Sequence, residues 1–475
     1  IKLLMFYLGV CGVVLGCGGS ANAAVNDPIF DWRLVAGKLM PVENQGLHNM
    51  NWAFSVMHSL ADNGRPLESL DFSEQHLGYF TYTSESSGSM DRPAFTRSKP
   101  SGSVYDEGGN NNMATAVLAR WTGLTYEADY PYDASFPVAG YTVRKILTKV
   151  VDYSYLPRSC DKVEIKTAID KGIMNVGYAI NAQNVIAKKF LYNNEETDPT
   201  RYGILIGWDD TISKNSFSMI SGEKNIQPSN DGAWILRTFH GLEEGESGDF
   251  YVSYEDKSLQ WGCMFFYSDI NTYDFQYGYD MLGLTSYIAP TVESMDQVTY
   301  GANFSNIRQE SIKGVGIYFP RPGIKYSIRV YKDIVDTPSS GTSNSENNGI
   351  SENAGFVIIP VNNITLGAGS KFGVVVTVSA DVVRGVIPVE MRLANYSDQA
   401  NALAGETFIM DSEGKWQDTI NLYADTSVAI KAFTQKSTIV IIPTPTPAPT
   451  AIPTITPAPT AISWLRAARA SASPV

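Results

Sequence analysis

Histidine and cysteine are both scarce in this chain, with four of each among 475 residues. The cysteines, Cys11, Cys17, Cys160 and Cys263, are too few for a disulfide-dense scaffold. No C-x-x-C or His-x-x-His spacing offers a ligand pair, so neither a metal nor another cofactor is expected. Charge is sparse as well, at 18% against an average of about 25%. Basic residues are the rarer kind, 36 against 49 acidic, for a net charge of −13. That balance argues against a nucleic-acid partner, because neutralising phosphates takes clustered Lys and Arg. Long apolar runs are missing too: the N-terminal run, Ile1 to Gly16, is shorter than the ~20 residues that span a bilayer. Apolar side chains are nonetheless abundant, at 44% with 11% aromatic, which rules out wholesale disorder and supplies cores for two or three domains.

The two ends read as segments outside the fold. Ile1 to Gly16, with Lys2 near its start, is followed by Ser20-Ala21-Asn22-Ala23-Ala24. The A-x-A pattern ending at Ala23 makes residues 1–23 a secretory signal. Within it, Val14-Leu15-Gly16-Cys17 is similar to a bacterial lipoprotein box, so simple secretion and a lipid anchor at Cys17 both stay open. Pro443 to Pro459 alternates Pro with Thr, Ala and Ile, a composition that extends as polyproline II and packs no core. Residues 437–475 are therefore a stalk or disordered tail. In an oxidising compartment Cys160 and Cys263 either pair or stand as two separate buried thiols.

Between the ends the pattern changes once. Asn51 to Leu60 sets Trp52, Val56, Ser59 and Leu60 on one stripe, with Ala53 and Met57 beside it, as a buried helix does. Ser73 is placed to cap a second helix, with Glu74 in its first turn. Gly108-Gly109 leads into a third helix, and Gly172 ends a fourth. Strand-like runs follow at 173–180, 203–208, 233–236 and 250–254, which predicts an α+β domain over 24–284 with a helical lobe and an antiparallel β lobe. From 285 to 436 the helical period disappears. Short runs such as 314–319, 327–331, 372–376 and 428–433, divided by Gly, Pro, Asn and Ser, predict an all-β sandwich.

Asp31-Trp32-Arg33, Pro41-Val42-Glu43-Asn44-Gln45-Gly46 and Trp52-Ala53-Phe54-Ser55 are followed in order by Ser73-Glu74-Gln75, Gly108-Gly109, Tyr130-Pro131-Tyr132, Gly207-Trp208-Asp209-Asp210 and Gly232-Ala233-Trp234-Ile235. This succession resembles the papain-like cysteine peptidases over about Asp31 to Gly283. The nearest likeness is the secreted prokaryotic branch in which a lectin-like sandwich follows the peptidase; Gly355 to Phe433, with Asn395-Tyr396-Ser397 and Ala404-Gly405, looks like that sandwich.

The resemblance implies a Cys nucleophile, a His base, an Asn orienting that His and a Gln at the oxyanion hole. Onto this chain it places Asn51 at the nucleophile, Arg201 at the base, Thr238 at the orienting Asn, and His240 where the family usually has Trp. Gln45 alone keeps its family identity. His48 stands where the family usually has a disulfide Cys. An amide has no ionised form to attack a carbonyl, and Arg stays protonated. No shift of register repairs the site: no Cys lies between Asp31 and Arg158, and no His between Leu77 and Phe239.

The resulting expectation is a secreted or cell-surface homologue that is catalytically inactive and binds a peptide or glycan, or scaffolds the cell envelope. Binding candidates are Arg201, as a fixed cation unless paired with a nearby Asp or Glu, His240 at the cleft rim, and Trp52. The alternative is an active endopeptidase using Ser55, Thr238 or Cys263. His48 reads as a polar loop residue and Asp209-Asp210 as a turn. Asn303, Asn363 and Asn395 begin glycosylation sequons, and the Tyr267 to Tyr279 stretch either stacks sugars or packs a domain junction. The oligomeric state is left open.

Overall fold

The structure is a computed structural model that describes residues 23–64, 70–87, 90–99, 101–133, 151–155, 161–221, 224–267, 273–289, 297–379 and 386–437. The expected signal segment through residue 22, with the alternative lipid anchor at Cys17, Cys160, and the expected stalk or tail beyond 437 lie outside the described residues.

Four helices shape the first half: α1 (Asn51–Gly64), α2 (Glu74–Tyr82), α3 (Asn111–Ala119) and α4 (Lys162–Lys171). Their starts follow from side-chain caps. Ser73 accepts from the His76 N–H, Asn110 from the Met113 N–H, and Asp161 forms a capping box with Glu164. The expected single apolar stripe on α1 is exceeded, because every residue from Trp52 to Asp62 is buried. Small side chains allow this, and the polar ones have built-in partners: Ser55 Oγ donates to the Trp52 carbonyl, and Ser59 Oγ to that of Ile173. Gly109 lets Trp52 sit flat, since a Cβ there would lie 2.2 Å from its ring.

Behind α1 stands an antiparallel sheet. In spatial order its central strands are Gln260–Tyr267, Met174–Tyr178, Arg201–Asp209, Ala233–Arg237 and Asp249–Ser253. The short Ile29–Asp31 strand, which sequence patterning missed, pairs with the end of Arg201–Asp209. Arg201 thus begins a strand whose interior, Tyr202 to Trp208, is buried on both faces.

The second half is all-β. A four-stranded sheet runs in the order Phe275–Gly278, Ile430–Lys436, Glu310–Phe319, Gly355–Leu366. A six-stranded sheet centred on Lys325–Lys332, Lys371–Ser379 and Gln297–Ser305 shares one core with it, filled by Val315, Ile317, Ile328, Val374 and Ala432. Strand Phe275–Gly278 pairs with Ile430–Lys436 although it precedes the expected boundary at 285, because its paired partner lies far along the chain.

The two halves meet through side chains rather than a linker. Arg120, wholly buried, donates to the carbonyls of Phe80 (2.6 Å), Pro93 (2.6 Å) and Met281 (3.3 Å). Gln276 Nε2 donates to the Ala119 carbonyl at 2.8 Å, and Trp121 packs on Phe433 with ring centroids 5.6 Å apart.

Candidate functional site

The N-terminus of α1 is directed at the start of strand Arg201–Asp209. Asn51 Oδ1 accepts the Tyr202 N–H at 2.8 Å. The loop before α1 lies along the chain that leaves strand Ala233–Arg237: the Gln45 N–H donates to the Phe239 carbonyl at 2.9 Å, and Asn44 bridges His240. The Tyr132 hydroxyl donates to the Gln45 carbonyl at 2.8 Å, fixing that loop from the other side. The fold therefore gathers Gln45, Asn51, Arg201, Thr238 and His240, which lie far apart in sequence, around one helix end.

Arg201 is half-buried and its Nη1 lies 2.6 Å from Glu244 Oε1. Burial alone lowers the guanidinium pKa, but Tyr178 and Glu244 outweigh it and the net shift is upward. Arg201 is thus a neutralised cation, the paired alternative of the two readings, and not a free anchor for an acidic ligand. Burial, reinforced by Arg201 and opposed by Glu244, lowers the pKa of His240. Its Nε2 is buried without a hydrogen-bond partner.

The hydroxyls are committed to structure. Thr238 is fully buried with its Oγ1 3.2 Å from the Gly248 carbonyl, and its N–H donates to the same oxygen. Ser55 is equally buried and its Oγ accepts from Asn175 Nδ2 at 2.6 Å. Cys263 is wholly buried, with no disulfide partner among the described residues, and burial pushes its pKa well up. A buried protonated thiol is inert. Trp52, with 1% exposure beneath Gly109, is a core side chain and not a binding surface.

His48 lies in the loop as expected, with Nδ1 2.6 Å from Asp106 Oδ1. Asp209 and Asp210 diverge: Asp209 Oδ1 accepts from Thr211, whereas Asp210 takes Lys166 Nζ at 2.7 Å and the Tyr254 hydroxyl at 2.6 Å. Of the sequons, Asn363 and Asn395 are exposed, but Asn303 Nδ2 is engaged by the carbonyls of Asp336 and Gly405. In the tyrosine-rich stretch, Tyr273 packs on Phe433 in the core that the halves share, whereas Tyr279 stacks on Phe304 inside the sandwich. Glu244 was not singled out from the sequence. Its only sequence signal is a position four residues past His240, in a glycine-bounded loop.

A cavity of about 1040 Å³ opens along the seam between the halves, lined among others by Asp91, Arg92, Phe275, Tyr277, Gln399 and Asn401. It is an open cleft lined mostly by polar and charged residues, with aromatic rings at Phe275, Tyr277 and Phe304.

Residues 276–434 match the family model described as a lectin-like domain. Two solved structures resemble the chain along most of its length. One is the clostridial cysteine protease Cwp84 after propeptide cleavage, with a TM-score of 0.70 and 24% identity, covering 84% of this chain and 98% of that one. The other comprises the cysteine protease and lectin-like domains of Cwp84, a surface layer associated protein of Clostridium difficile. It has a TM-score of 0.70 and 23% identity, covering 86% of this chain and 89% of that one. No curated protein matches the chain. The chain has the α+β fold of a papain-like cysteine protease joined to a lectin-like domain.

Proposed function

We propose that this chain is a surface-associated homologue of papain-like proteases that acts by binding and not by catalysis. The observation that carries the reading is Asn51. Where the resemblance puts a thiol stands an amide, and its oxygen is already occupied by the Tyr202 N–H. An amide supplies no nucleophile. Arg201, paired with Glu244, accepts no proton. Gln45 remains, but an oxyanion hole without nucleophile and base supports only a small residue of the usual rate.

The ligand class we infer is a peptide or glycan of the cell envelope. Supporting this are the lectin-like match, the surface layer association of Cwp84, and the seam cavity with its exposed Asp91 and Asn401. Secretion or surface attachment belongs to the same proposal.

The test is a broad fluorogenic peptide library with and without a thiol-reactive inhibitor, run beside glycan and peptide arrays. The expected result is no inhibitor-sensitive hydrolysis, with array binding that Asn401→Ala weakens. Inhibitor-sensitive turnover contradicts the loss of catalysis, and arrays with no signal above background contradict the binding role.

A further inference from the structure

Beneath the candidate site, α1 carries a histidine on a face that meets two carboxylates. His58 is wholly buried, and its Nε2 lies 2.9 Å from Glu43 Oε2. Glu74, the first residue of α2, is 1% exposed, and its Oε1 has no hydrogen-bond partner among the described residues. One donor atom from each of Glu43, His58 and Glu74 lies within 4.8 Å of the other two. The residues come from a loop and two helices, so sequence spacing gives no hint of the group.

Two further observations separate this cluster from an ordinary acidic patch. Behind the ring, Asp62 Oδ2 stands 3.9 Å from His58 Nδ1, while Asp62 Oδ1 is fixed by the Met40 N–H at 2.9 Å. That separation is too long for a hydrogen bond, but a small approach of Asp62 would give His58 the carboxylate partner that metal-bound imidazoles usually have. The charges acting on Glu74 are those of Glu43, Glu127 and Asp71, all of one sign. Glu43 is the least buried of the three, with its side chain 26% exposed, and so provides a route from solvent.

We propose that Glu43, His58 and Glu74 form a binding site for one divalent transition-metal ion of the zinc class, with Asp62 orienting His58. One imidazole nitrogen with two carboxylate oxygens suits such an ion better than calcium or magnesium, which favour oxygen alone. Tetrahedral coordination at about 2.0–2.2 Å sets donors roughly 3.3–3.6 Å apart, so the His58–Glu43 pair at 2.9 Å opens slightly while spacings nearer the 4.8 Å limit close. Binding ties α1 and α2 to the loop that carries Gln45.

The experiment uses the full chain, stripped by chelator and titrated with Zn²⁺ alone. The expected result is one equivalent bound and a higher melting temperature. Glu74→Gln and His58→Gln are each expected to weaken binding at least 100-fold, and Asp62→Asn by roughly 10–100-fold. Should those variants fail to fold, X-ray absorption on the zinc-loaded wild type decides, with one imidazole and carboxylate oxygens expected around the ion. No stoichiometric uptake by the wild type, uptake that survives both Glu74→Gln and His58→Gln, or a coordination shell without imidazole would overturn the site.

Discussion

Asn51 Oδ1 accepts the backbone N–H of Tyr202 at 2.8 Å, so the first side chain of α1 is bonded to the strand that begins with Arg201. The positions assigned to nucleophile and base are thus neighbours in space, yet the contact between them is a structural hydrogen bond. Asn51→Ala should cost about 1 kcal/mol, read as a shift in urea midpoint. Asn51→Cys places a thiol at a helix N-terminus near a guanidinium, where its pKa falls. That variant should be alkylated much faster than Cys263 while showing no peptide turnover, because Arg201 relays no proton. Alkylation no faster than at Cys263 would show that the helix end does not activate a thiol.

Gly109→Ala should destabilise the fold by about 1–3 kcal/mol or more, since the new Cβ would lie 2.2 Å from the Trp52 ring and the buried indole has little room to move. Tryptophan fluorescence during thermal unfolding measures it. An unchanged midpoint would show that the Trp52 packing is not tight.

Much of the architecture was legible beforehand because local chemistry wrote it. Ser73 and Asn110 cap helices as their residue types suggest, Gly172 ends α4, and the apolar runs near 203–208 and 233–236 became adjacent sheet strands. What escaped depends on distant partners. The 4.8 Å grouping of Glu43, His58 and Glu74 depends on where α1 and α2 pack. The pairing of Arg201 with Glu244 joins a strand start to a loop after the next strand, and no period in the sequence encodes it. Trp52 lies on the buried stripe of α1 as expected, and it fails only as a binding candidate, because Gly109 covers its other side.

Lys431 and Asp280 are both wholly buried, with Nζ 2.7 Å from Oδ1. Removing one partner of a buried pair strands the other, whereas replacing both with apolar residues of similar volume is often neutral. Lys431→Met alone should cost about 3–5 kcal/mol in urea unfolding, and Lys431→Met with Asp280→Leu should recover most of it. A double variant no better than the single would show that the pair is not the source of the loss.

Burial, then the charge of Asp280, raises Glu390 from its ordinary 4.5 to about 8, against the Leu282 N–H, Lys431 and Arg120. A carboxyl raised in this way binds its proton more tightly when folded. Its contribution is full below pH 4.5 and is lost as pH climbs through about 8. Glu390→Gln keeps an acceptor for the Leu282 N–H and should flatten the fall in melting temperature across that window. Parallel curves for wild type and variant would place the titration elsewhere.

The loss of catalysis is tested most directly by intact-mass spectrometry of the wild-type chain, quenched rapidly after mixing with an activated ester or a polypeptide substrate. The account predicts an unshifted protein mass at every time point. An acyl adduct on any side chain during substrate cleavage would contradict it.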